Sequence, residues 1–129
     1  MKKIMIVDND PGMCNLMAMA FRHQDIETFT TDSVSEASSF LQSGECAGLL
    51  MDYHLGAGES GASVLTKWSE GGPMPPFWLV TGTPDEADVS PLAAVPSFQG
   101  TIAKPFAIMD LVNAVKALAF PEEWKEMEA

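Results

Sequence analysis

The chain has 129 residues, 47% hydrophobic and 19% charged, which suits one domain with a single core and needs no disulfide staples. Its 18 acidic and 7 basic residues give a net charge of −11, a field that repels phosphate backbones and disfavours direct binding to nucleic acid. No run approaches the roughly 18 apolar residues of a membrane span, and Cys14 and Cys46, which make no C-x-x-C pair, read as reduced, buried thiols of a cytoplasmic protein.

Met1-Lys2-Lys3-Ile4 leads straight into a strand pattern without a cleavage site, so a signal peptide is not expected. Lys3-Ile4-Met5-Ile6-Val7 is an apolar run without alternation, as in a strand buried on both faces, and it ends on Asp8, Asn9 and Asp10. Pro11 suits the first position of a helix and Asp10 its N-cap, whereas Asp8 and Asn9 have no such role. Met13, Leu16, Met17, Ala20 and Phe21 carry the spacing of one buried helical face. Glu27-Thr28-Phe29-Thr30 reads as an edge strand. Ser33-x-x-Glu36 is a capping-box pattern, and Val34, Ala37 and Leu41 supply a helical face up to Gly44.

The third strand, Gly48-Leu49-Leu50-Met51, stops on Asp52, with Tyr53-His54-Leu55 following at once. A carboxylate there is either a site residue or a cap. The loop Gly56 to Gly61 leads to a helix burying Val64, Leu65 and Trp68, and the breaker cluster from Gly71 to Pro76 closes it. Phe77-Trp78-Leu79-Val80 is the fourth strand, ending on Thr81-Gly82-Thr83. Thr83-x-x-Glu86 starts a fourth helix, weak because Asp85, Glu86 and Asp88 crowd its beginning and Pro91 cuts it short. A last strand within Phe98 to Ala103 ends on Lys104-Pro105, and a final helix buries Ile108, Leu111, Val112, Val115 and Leu118. Residues 121–129 form an acidic tail or the start of a linker after a domain spanning 1–120. Five strands alternating with five helices predict a parallel sheet covered on both faces and joined by right-handed crossovers.

Parallel strands bring their carboxyl ends to one edge, where ligands of such sheets sit. Asp8 and Asn9, Asp52, Thr81 and Lys104 therefore converge. Each has a plain explanation alone, such as an Asx turn, a loop hydroxyl or a solvated lysine. Together, two carboxylates, an amide, a hydroxyl and an ammonium suit a hard, oxygen-liganded cation and a phosphoryl group.

The motifs Ile-Val-Asp8-Asn9-Asp10, Leu-Leu-Met-Asp52, Leu-Val-Thr81-Gly82 and Lys104-Pro105, in this order and at these strand ends, make the sequence resemble a receiver domain of two-component response regulators. That family has the flavodoxin-like fold of the chemotaxis protein CheY, a doubly wound sheet of strand order 2-1-3-4-5. The resemblance covers about Lys3 to Ala119. It implies that Asp52 is the phosphoacceptor, phosphorylated by a sensor histidine kinase or phosphotransfer protein. It also implies Mg²⁺ (or Mn²⁺) held by Asp8, Asn9, Asp52 and the backbone carbonyl of His54. Lys104 would pair with a phosphoryl oxygen and Thr81 with another, Gly82 would keep access open, and His54 and Thr83 would tune hydrolysis of the phosphate. The family's catalysis is limited to this self-phosphorylation and self-dephosphorylation, and its output is a conformational change read by a downstream protein.

Three departures stand out. Asn9 occupies a position that is usually acidic, which predicts weaker Mg²⁺ binding. Thr101 stands where an aromatic switch residue is common. The loop after Asp52 lacks the common proline and reads as one residue longer. An irregular fourth helix also leaves a phosphorylation-dependent homodimer open. Ten residues follow Ala119, which predicts either a stand-alone receiver or a piece of a longer regulator. Competing readings are a degenerate receiver that binds partners without phosphorylation and a phosphatase of the haloacid dehalogenase type. The phosphatase requires a second aspartate two residues after the nucleophile, where His54 stands. A flavodoxin fits poorly, because no phosphate-cradling loop follows the first strand.

Overall fold

The structure is a computed structural model that describes residues 2–55 and 58–121. Gly56, Ala57 and the acidic tail beyond Pro121 lie outside the described residues. In chain order the elements are β1 (Lys3–Val7), α1 (Pro11–Arg22), β2 (Thr28–Thr31), α2 (Val34–Gln42), β3 (Cys46–Asp52), α3 (Gly61–Gly71), β4 (Phe77–Thr81), a 3-10 turn (Ser90–Leu92), β5 (Phe98–Ala103) and α4 (Ile108–Ala119). All strand pairs are parallel, in the order β2-β1-β3-β4-β5.

Burial follows position in the sheet. Every residue of β3 and β4 is buried, and so are the last four of β1, whereas β5 at the edge alternates half-buried with exposed. Side chains of one strand point alternately to the two faces, and two apolar layers result. On one face Ile4, Ile6, Leu50, Trp78 and Val80 pack with Met17 and Phe21 of α1 and with Leu111, Val112 and Val115 of α4. On the other, Met5, Val7, Leu49, Met51, Phe77 and Leu79 pack with Ala37 of α2, Val64 and Leu65 of α3, and Leu92. This is the doubly wound, flavodoxin-like arrangement that the alternation of elements predicts. The two thiols sit in opposite layers, Cys14 in the first and Cys46 in the second, both buried and free.

The helix starts follow local chemistry. Asp10 Oδ1 accepts the N–H groups of Gly12 and Met13, with Pro11 opening α1. Ser33 Oγ accepts Glu36 N–H, but the Glu36 carboxylate accepts from the Thr31 hydroxyl instead of returning to Ser33, so the capping box is half formed. Leu16 and Leu118, expected on buried faces, are exposed. The buried stripe of α1 runs through Cys14, Met17 and Phe21, and that of α4 through Leu111, Val112 and Val115, so both leucines fall on the flanks.

The fourth of the five expected helices does not form. The amides of Glu86 and Ala87 bond to Thr83 O in one isolated turn, and the 3-10 turn at Ser90–Leu92 follows, so four α-helices remain among the described residues. Pro91 supplies no N–H to bond back along an α-helix begun at Thr83, and three acids stand early in the segment without an apolar stripe to bury. Leu92, fully buried, is the segment's anchor.

Candidate functional site

At the carboxyl edge the apolar strands release polar side chains that are still largely out of water. Asp8 is 3% exposed, Asp52 4%, and Thr81 is fully buried. Asp8 uses both oxygens: Oδ1 accepts the Asp10 N–H in an Asx turn (2.9 Å), and Oδ2 accepts from Lys104 Nζ (3.2 Å). Lys104, delivered by β5 from 96 residues away, also stands 3.6 Å from Asp52 Oδ1. Its amide donates to Thr81 O at 2.7 Å, which ties the end of β5 to the end of β4. The ammonium thus lies between the two carboxylates.

Electrostatics reflect this crowding. Burial, and then the charge of Asp8, raise the Asp52 carboxyl above the ordinary aspartate value, against the pull of Lys104 and the His54 N–H. Burial works against the Lys104 ammonium as well, but Asp8 and Asp52 outweigh it, and its pKa rises. Cys14 lies beside the pair, its thiol donating to Asp8 O at 3.5 Å. Burial, aided by the charges of Asp8, Asp10 and Asp32, pushes that thiol up to about 11, so it is an inert neighbour and no nucleophile.

The remaining residues form a second tier. The His54 N–H points to Asp52 Oδ1 at 3.4 Å, while its ring bonds through Nε2 to Thr83 Oγ1 at 2.8 Å. Thr83 in turn contacts Thr81: its N–H donates to Thr81 Oγ1 (3.0 Å), and the two hydroxyls are 3.3 Å apart. Asn9 is exposed and lines a cleft of about 200 Å³ with Asp8 and Asp32. Gly82 is exposed, and a methyl group added there would meet nothing within 4 Å, so its hydrogen keeps open space rather than a tight contact. Thr101 is exposed on β5, opposite Leu79 and two residues before Ala103, the partner of Thr81.

Two contributors escaped the sequence reading. Gly61 is the first residue of α3, and a Cβ there would lie 2.2 Å from Asp52 O and 2.8 Å from Met51 Cγ. Only glycine lets this helix start against the end of β3. Tyr53 is clamped by its backbone, its N–H donating to Val80 O (2.9 Å) and its carbonyl accepting from Gly61 N–H (2.8 Å). A glycine in a Gly-rich loop and a tyrosine after a strand carry no signal for either role.

The donor set fits a small divalent ion. Two buried carboxylates held a lysine's breadth apart, with the exposed Asn9 beside Asp8, are hard oxygen donors. Among the described residues no cluster of three or more Asp, Glu, His or Cys side chains is placed to hold a metal. Two carboxylates suit Mg²⁺, which keeps several waters and accepts the rest of its shell from phosphate oxygens.

A parallel sheet of order 2-1-3-4-5, with an acidic pair and a lysine at the β1/β3 crevice, defines a flavodoxin-like α/β protein with a site at its topological switch point. The family model for the response regulator receiver domain matches residues 4–116. The chain belongs to that family and is a two-component signalling domain. Solved structures agree on the fold. A CheY-like receiver domain protein from Methanospirillum hungatei JF-1 is 20% identical, with a TM-score of 0.76 over 98% of each chain. The receiver domain of the TMAO respiratory system response regulator TorR is 23% identical, with a TM-score of 0.78 over 94% of this chain and 98% of that one. A structure of the histidine kinase ThkA in complex with the response regulator protein TrrA matches at 24% identity and a TM-score of 0.75, over 92% of this chain and 98% of that one. No curated protein sequence matches the chain.

Proposed function

We propose that Asp52 is the phosphoacceptor and takes its phosphoryl group from a phosphohistidine on a sensor histidine kinase or phosphotransfer protein. The observation that carries this reading is the Lys104 ammonium between two buried carboxylates, 3.2 Å from Asp8 and 3.6 Å from Asp52. Membership of the receiver family and the likeness to a response regulator solved with its histidine kinase support it. An Asp52 oxygen attacks phosphorus in line, the P–N bond breaks, and the imidazole leaves with the electron pair. Lys104 exchanges a carboxylate for a phosphoryl oxygen, and the Thr81 hydroxyl turns from Thr83 to another. Asp8, Asp52, Asn9 and the His54 carbonyl would hold Mg²⁺ (or Mn²⁺), which when bound would supply positive charge to those oxygens; Asn9 leaves that site one charge weaker than two acids would. Gly82 leaves room for the incoming group, and His54 and Thr83 stand where they govern the approach of water.

In this reading residues 1–120 are the receiver and 121–129 an acidic tail or the start of a linker. The domain works in the cytoplasm, turns over no substrate beyond its own acyl phosphate, and acts through a downstream protein or a second copy of itself. Incubation with acetyl phosphate and Mg²⁺, read by intact mass, tests it. One added phosphoryl group, lost in Asp52→Ala, is expected. No gain in the wild type would identify a degenerate receiver, and a gain retained in Asp52→Ala would place the acceptor elsewhere.

A further inference from the structure

The residue after the acceptor reaches across to the segment that replaces the missing helix. The Asp88 N–H donates to the Tyr53 hydroxyl at 3.3 Å, a bond between positions 35 residues apart. Asp88 also starts the 3-10 turn, its Oδ1 accepting the N–H (3.1 Å) and hydroxyl (2.7 Å) of Ser90. At the far end of that turn Leu92 is fixed in the core. The near end is therefore held by the acceptor loop. The Tyr53 and His54 rings meet edge to face, with centroids 5.0 Å apart, and His54 holds Thr83. Residues 53 and 54 thus grip residues 83 and 88, while their own backbone is pinned between β4 and α3.

We propose that Tyr53 is a positioning residue that reports the state of Asp52 to residues 83–92. In the unmodified protein its phenol holds the start of the 3-10 turn against the acceptor loop. When Thr81 leaves Thr83 for a phosphoryl oxygen, the Thr81–Thr83–His54 chain of hydrogen bonds is broken. Loss of that link loosens residues 83–88, which have no helix of their own and whose core anchor lies beyond them at Leu92, and the Tyr53–Asp88 bond opens. Exposed Asp85, Glu86 and Asp88 move with it and present a changed acidic surface to a partner. The coupling rests on Asp52 being the phosphoacceptor; the resting contact does not.

Hydrogen exchange of the full chain, resolved by residue, tests this in wild type and Tyr53→Phe, each with and without acetyl phosphate and Mg²⁺. Intact mass of the same samples reports phosphorylation. Phenylalanine keeps the ring and its packing and removes only the acceptor oxygen. In the unmodified state Tyr53→Phe should exchange the Asp88 amide about fivefold faster than wild type, the worth of one ordinary hydrogen bond, with Leu79 and Val80 unchanged. Phosphorylated wild type should show the same acceleration, and phosphorylated Tyr53→Phe no more. Equal unmodified rates would overturn the contact. A phosphorylated wild type that still protects Asp88 would overturn the coupling. No gain in mass would overturn the acceptor reading and the coupling with it, while the unmodified pair would still decide the resting contact.

Discussion

Asp52, once ionised, works against the fold that buries it. Its carboxyl is raised by burial and by Asp8, so in the folded chain it holds its proton to a higher pH than in the unfolded chain, where it ionises near about 3.9. Between those two values the folded state binds more protons than the unfolded one. Stability therefore falls as pH rises through that window, and the loss is complete once pH has passed the folded value. Asp52→Asn removes the charge while Lys104 keeps its 3.2 Å contact with Asp8. The variant should melt a few degrees above wild type at pH 7, and the difference should shrink to nothing as pH falls to the unfolded value. Thermal melts across pH check this; equal melts at pH 7 would mean that Lys104 fully offsets the second carboxylate. Asp8, Asp52, Thr81 and Lys104 could be found in sequence because each ends an apolar run, and a parallel sheet turns such ends into neighbours. Tyr53 could not, because its meaning lies in a contact with residue 88 that no local pattern encodes.

The elements show where pattern suffices and where it fails. The central strands were legible as unbroken apolar runs, since burial on both faces removes alternation. The Asp10 cap was legible because a side chain two or three residues from a free N–H can act only locally. Helical faces were legible to within a residue, and the errors at Leu16 and Leu118 arose because spacing alone does not fix the centre of a stripe. Gly61 was read as a loop residue, yet it sets how close α3 comes to the end of β3. A methyl group there would face Asp52 O at 2.2 Å, backbone against backbone, with no flexible side chain to yield. Gly61→Ala should cost about 3 kcal/mol or more. Gly71, at the other end of the same helix, has nothing within 4 Å, and Gly71→Ala should be neutral or stabilising by about 0.5–1 kcal/mol. Urea midpoints at constant slope measure both. A tolerated Gly61→Ala would show that α3 can retreat from Asp52 without loss.

At the scale of the molecule, the net charge of −11 decides what holds the chain together against itself. Among the ion pairs of the described residues are Lys67 with Glu59 and Lys104 with Asp8 and Asp52, while over the whole chain 18 acids face only seven cations. Lys67 and Glu59 are solvated and worth little, and the Lys104 pairs are buried and weakly screened. What salt can reach is mainly repulsion among the other carboxylates, which are closer together in the compact state than in the open chain. Raising NaCl from about 0.01 M to about 0.5 M shortens the screening length from roughly 30 Å to a few ångströms, and it should stabilise the fold. Sulfate and Mg²⁺ are excluded from the test, the first because it strengthens burial by preferential exclusion and the second because the acidic pair is its proposed site. The urea midpoint should rise steadily with NaCl while the slope stays constant. It should rise less in a variant in which Asp85, Glu86 and Asp88 are changed to the corresponding amides, because those three exposed acids follow one another within four residues. A midpoint that falls with salt would mean that attraction between surface charges, and not repulsion, governs this fold.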